Sequence, residues 1–265
     1  MTGFKQAATL VAGIIVALST VSPAPAQAGR VTPMIVDLEP EGRNSVGRIE
    51  LTNDADRDIA YEVQMMRGEI SPDGKLDLTP ADEQFVVFPP QAIVEARSQQ
   101  VFRIQYVGEE ALVNSQIYYL SIKQVPVAFE AGANQVQVVI NYNVLVNVVP
   151  ENTSAVATVR SAQYVERPVS TAGLTEQEIP AVIPVEKGIL VDLANEGSRY
   201  FFAGNSRWKI DATTVSGTPY EMAYSGNEMT KLVGVGVIAP GKYRTFFLPT
   251  DAALAPDSVR ISVEP

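Results

Sequence analysis

The chain has 265 residues, with 20 Lys and Arg against 30 Asp and Glu, a formal net charge of −10, and neither cysteine nor histidine. The acidic excess without a basic stripe argues against nucleic acid or an anionic membrane as partner. Lack of cysteine removes disulfide staples, and lack of histidine removes Ser-His-Asp and Cys-His nucleophile systems, imidazole bases and the commonest zinc sites. Carboxylate pairs remain, but the acidic residues are scattered through turns, so the chain reads as a non-enzyme that uses no metal or other cofactor.

The chain opens with Lys5, an apolar run from Ala7 to Leu18, and Ala26-Gln27-Ala28 before Gly29. A short positive region, an apolar stretch and a small-x-small site together predict a secretory signal peptide over residues 1–28. The run is shorter than the roughly 20 residues of a membrane span, and Pro23 and Pro25 follow it. Nothing later is long and apolar enough to span, so the expected product is soluble, outside the cytoplasm, and about 237 residues long. That length suits two domains, over 29–150 and 151–265.

Short apolar runs separated by turn signals fill both halves, and no long segment keeps a 3.6-residue period. Strands are predicted over 32–38, 47–52, 60–66, 85–88, 91–95, 99–106, 117–127 and 135–149. Between them stand Asn53-Asp54, Pro89-Pro90 and the tight-turn pair Asp73-Gly74, whose residues tolerate positive φ. After a break at residues 150–154, further strands are predicted over 155–161, 188–195, 208–215, 231–238, 242–248 and 258–263. Residues 174–184 read as a polar, Pro-bounded loop. The spacing predicts an all-β chain of two sandwiches. Trp208 is expected in the second core, and Tyr118 and Tyr119 must point to opposite faces of their strand. Gly234 and Gly236 hint at a phosphate loop, but with no helix expected after them the motif fails its structural test.

Residues 117–150 are the most informative part. Val136, Val138 and Ile140 fall on one side of the second strand, and Gln137, Val139 and Asn141 on the other. From Val144 to Val149 the chain is apolar almost throughout, as in a strand covered on both faces. The start of this strand is a row of branched side chains on a segment open to pairing with another chain, or else simply part of its own domain's core.

These residues resemble the PapD-like periplasmic chaperones of chaperone–usher pilus assembly. The likeness lies in Ile117-Tyr118-Tyr119-Leu120 through Gln124-Val125-Pro126, then the alternating strand that closes on Pro150. Upstream it includes Phe85-Val86-Val87-Phe88-Pro89-Pro90 and Gln100-Val101-Phe102-Arg103-Ile104, and downstream Leu193-Ala194-Asn195-Glu196-Gly197 and Val237-Ile238-Ala239-Pro240. The resemblance implies two immunoglobulin-like β-sandwich domains in a boomerang arrangement, working in the periplasm on pilus subunits and passing them to an outer-membrane usher. It also implies donor-strand complementation, in which Val136, Val138 and Ile140 fill the open groove of a subunit. Backbone pairing would give affinity and the alternating side chains register. Each large aliphatic group so buried is worth roughly 1.5–3 kcal/mol. A client-free chaperone with such an edge is open to self-association.

Two departures stand out. Family members hold the subunit's terminal carboxylate with an Arg in the first strand and a Lys late in the donor strand; here Pro33 and Leu145 take those places. Arg103 matches a family arginine near the interdomain cleft, and its usual Glu partner falls near Ser115 or Gln116, so Arg103 is the substitute anion anchor to consider. An ion pair with another acidic residue is the other reading of Arg103. For the whole chain the alternatives are a secreted structural or adhesive β-sandwich protein, or a chaperone-like protein with a non-pilus client.

Overall fold

A computed structural model describes residues 29–126, 139–171, 173–175 and 178–265; the expected signal peptide lies outside them. In chain order the first domain runs through β1 (Arg30–Thr32), β2 (Ile35–Leu38), β3 (Val46–Thr52), β4 (Ile59–Ile70), β5 (Leu76–Pro80), β6 (Phe85–Phe88), β7 (Gln91–Val94), β8 (Gln99–Tyr106), β9 (Gln116–Gln124) and β10 (Asn141–Val148). They form two facing sheets, one ordered β1-β3-β8-β6 and the other β2-β10-β9-β4-β5, with β7 paired to β4. The strand predicted over 32–38 is in fact two. The chain bends at the cis Thr32-Pro33 bond, β1 joining one sheet and β2 the other.

The core follows from the period of two. Ile49 and Leu51 on β3, Phe102 and Ile104 on β8, Leu120 and Ile122 on β9, and Val144, Val146 and Val148 on β10 are all buried in one cluster. Tyr118 joins them and makes edge-to-face contact with Phe85, ring centroids 4.8 Å apart. Tyr119, on the other face of β9, is half-buried against the second domain. The tyrosine pair thus divides between the core and the cleft side.

The second domain contains β11 (Ala157–Pro168), β12 (Val185–Asn195), β13 (Phe201–Phe202), β14 (Arg207–Thr213), β15 (Pro219–Tyr224), α1 (Asn227–Val233), β16 (Val237–Ile238), β17 (Tyr243–Pro249) and β18 (Arg260–Glu264). Sheet β11-β12-β17 packs on sheet β15-β14-β18 around Ile189, Val191, Leu193, Trp208 and Ile210. Trp208 is buried as expected, and its indole N–H donates to the Ala203 carbonyl at 2.9 Å. A buried asparagine organises a turn in each domain. The Asn53 amide donates to the Arg57 and Val94 carbonyls at 2.8 and 3.0 Å, and the Asn195 amide to the Arg199 and Ile238 carbonyls at 2.8 and 3.1 Å. These bonds satisfy groups that would be costly to bury alone.

The strand predicted over 231–238 is not formed. Residues 227–233 are helical instead, and only Val237 and Ile238 are extended. Met229, Leu232 and Val233 are spaced by three and four, so one helical face meets the core. Gly234, at φ 70°, ends the helix, its N–H donating to the Thr230 carbonyl at 2.9 Å.

Candidate functional site

The candidate donor edge is the N-terminal part of β10. This strand pairs antiparallel with β9 over its whole length, but parallel β2 covers only Leu145–Val148. Among the described residues no strand pairs with the other side of residues 141–144. The edge is therefore open where the branched row approaches it.

Val136 and Val138 lie outside the described residues. Ile140 lies within them. It is half-buried, its carbonyl accepting from the Gln124 N–H at 3.3 Å and its own N–H facing the Gln124 side-chain oxygen at 3.4 Å. Its parity is that of Val144, Val146 and Val148, so it stands on the core-facing side of the strand beyond the filled core. Val139, of opposite parity, is exposed.

The odd positions of β10 explain the double-sided apolar run. Leu145 and Val149 do not face solvent; they pack with Ile117, Tyr200 and Val237 in a cluster between the domains. Leu145, standing where the family carries a Lys, thus serves domain packing. Pro33 is exposed in the connection between β1 and β2.

Beside this cluster sits a polar latch. Tyr200 donates its hydroxyl to Asp37 Oδ1 at 2.6 Å, and the Asn147 amide donates to the same oxygen at 2.9 Å. Arg199 Nη2 lies 3.3 Å from Asp37 Oδ2. The Tyr200 N–H donates to Ser115 Oγ at 2.7 Å, and the Ser115 N–H to the Ser198 carbonyl at 2.9 Å. Burial, and then the Asp37 carboxylate, hold the Tyr200 hydroxyl well above its ordinary pKa, because both oppose a phenolate. Asp37, Ser115, Asn147 and Tyr200 come from four separate segments, and nothing local in the sequence singles them out.

A second bridge lies across the cleft. The β4–β5 hairpin reaches over so that the Thr245 N–H on β17 donates to the Pro72 carbonyl at 2.8 Å. Gly74, at φ 95°, lets this turn pass close to Arg244; a Cβ there would sit 2.5 Å from Arg244 Nη2.

Arg103 is not brought to the cleft. It is exposed on the outward face of β8, opposite Arg48 on β3 and Phe88 on β6. It lines neither the cavity beside Ser115 nor the one beside Asp37. The alternation of β8 explains this, since Phe102 and Ile104 claim the inward face and leave odd positions outside. Ser115, near the place of the family's usual Glu, serves the latch instead.

Residues 30–154 match the family described as pili and flagellar-assembly chaperone, PapD N-terminal domain. No curated protein matches the chain's sequence. Among solved structures the chain is similar to the class 5 fimbriae chaperone CfaA, at 12% identity, with TM-score 0.51 over 90% of this chain and 99% of that one. It is also similar to a chain of a chaperone–tip adhesin complex of CFA/I fimbriae biogenesis, at 13% identity and TM-score 0.50, covering 89% of this chain and 98% of that one. At such identities these likenesses establish the fold, two β domains in succession, and the family match places the first of them. Residues 30–154 thus carry a PapD-like N-terminal domain, within a chain whose fold of two β domains is shared with these solved chaperone structures.

Proposed function

We propose that the protein is a periplasmic chaperone for fimbrial subunits, binding them by strand donation from β10. The observation that carries this reading is the open edge at residues 141–144, with Ile140 standing just beyond the last filled layer of the core. Strand addition there would continue the sheet through backbone bonds, while Val136, Val138 and Ile140 enter the subunit. Release would follow exchange for a better-fitting strand, with transfer to an outer-membrane usher; no nucleotide or metal takes part. Residues 1–28 would direct secretion and be removed. The first and second domains would then be residues 29–150 and 151–265.

Ile140→Asp tests the proposal. The wild type should capture small β-rich secreted subunits from periplasmic extract, and the variant should lose them while keeping its thermal midpoint within a few degrees. Moving a charge into an apolar groove costs several kcal/mol, enough to abolish binding built on a few aliphatic contacts. Unfolding of the variant would instead assign Ile140 to the domain's own core. Two folded proteins that capture no subunit would favour a secreted structural role.

A further inference from the structure

Gly29, the first described residue, touches the strand that is open for donation. Its carbonyl accepts the Tyr142 hydroxyl at 2.6 Å. Tyr142 lies in the open stretch of β10, shares the parity of Ile140 and Val144, and packs its half-buried ring against the first core. Gly29 is also pressed against the end of β3. A Cβ built on it would stand 2.7 Å from the Thr52 carbonyl oxygen, too close for any side chain, and 3.5 Å from the Tyr61 hydroxyl. β1 follows at once, with Arg30 opposite Thr52. Gly29 thus ties the backbone of one sheet to a side chain of the other.

Asp54 stands two residues past Thr52 and is half-buried. Among the described residues no cation forms an ion pair with it. Burial, and then the Asp54 carboxylate, raise the Tyr142 hydroxyl above its ordinary pKa, so this carboxylate acts on the hydroxyl that bonds Gly29. The other charged or titratable groups here are Arg30, next in the chain, Tyr61 on β4, and Arg57, whose charge is felt at Tyr61. A carboxylate partly taken from water is ordinarily compensated by a cation. Within an intact chain Gly29 offers only a neutral amide N–H. Hydrolysis of the Ala28–Gly29 bond, with water as co-reactant, leaves a carboxylate on Ala28 and an α-ammonium on Gly29.

We propose that this cut completes the donor end: the new ammonium of Gly29 pairs with Asp54, and Gly29, so held, fixes the open stretch of β10 through the Tyr142 hydroxyl. The device rests on the strand-donation reading and on the cut after Ala28, and it adds a maturation step to them. Gly29, Asp54 and Tyr142 are positioning residues, acting on a client only through β10. An edge ordered in advance loses less conformational freedom when a second strand pairs with it.

The protein purified from periplasm tests this without a client, so strand donation and this device fail separately. Its intact mass should correspond to a chain that starts at Gly29; another first residue would overturn the proposal and leave donation untouched. NMR titration followed at the Gly29 α-carbon should show Asp54→Asn lowering the amine's midpoint by at least about half a unit. Hydrogen exchange of the Tyr142 and Val144 amides, in register with Ile122 and Leu120 of β9, should quicken several-fold in Asp54→Asn and in Tyr142→Phe. A serine inserted between Ala28 and Gly29 moves the ammonium one residue away and should have the same effect. Exchange at Phe102 and Ile104 in the core of β8 should not change, as it would if the domain were merely destabilised. The insertion leaves every described side chain in place, so it decides the matter if either substitution fails to fold. A midpoint unmoved by Asp54→Asn, wild-type exchange at β10 in the insertion, or exchange quickened equally throughout the domain would each overturn the proposal.

Discussion

Asp37 shows how one side chain can hold two domains in register. Its carboxylate accepts from Tyr200 and Asn147, and Asp37→Ala leaves both donors without that acceptor. Loss of a partner for a buried polar group costs about 1–3 kcal/mol, so a urea titration should show a deficit in that range. Tyr200→Phe should cost about 1 kcal/mol, since it removes one hydrogen bond. Arg199→Ala should cost less than about 1 kcal/mol, because both members of that ion pair remain partly exposed to water. At this scale the sequence is legible only where periodicity speaks. The parity of Ile140 and the burial of Trp208 follow from strand alternation, and so does the outward position of Arg103 once β8 is fixed. The latch does not, because Asp37 meets partners 110 and 163 residues away.

At the scale of elements, α1 is the piece most dependent on tertiary packing. Seven residues are too few to be helical alone, so its stability comes from the face it buries. Met229→Ala should cost about 2–5 kcal/mol by chemical denaturation, the ordinary range for emptying a buried site. The same dependence explains why the helix is hard to read. A short apolar run bounded by glycines fits either element, and β-branched Val233, Val235 and Val237 favour extension locally. Long strands with clean alternation are read within a few residues: β6 and β8 have the predicted bounds. β5 escapes notice because it lies at a sheet edge with no buried residue and little apolar signal.

For the molecule as a whole, composition fixes an unusual pH response. Without histidine, no side chain ordinarily titrates near neutrality. Tyrosines supply the alkaline limit. Burial pushes the hydroxyls of Tyr61, Tyr118 and Tyr220 from 10 up to about 12. An unfolded chain gives up these protons first, so the folded state keeps its full contribution below pH 10 and loses it as pH rises through 12. Unfolding free energy measured in urea should be level across neutral pH and fall steeply over that alkaline interval. Tyr118→Phe should make the fall shallower.

The burial of Leu145 and Val149 by the second domain has a bearing on modularity. β10 is a party wall: one face closes the first core, the other is roofed by the second domain. A first domain cut free at the linker would carry an uncovered apolar seam along the very strand whose tip is open for pairing. The uncovered seam and the open edge would then share one strand, and the isolated domain should self-associate. The second domain thus covers that seam and, among the described residues, leaves only the Asn141–Val144 edge of β10 without a neighbouring strand.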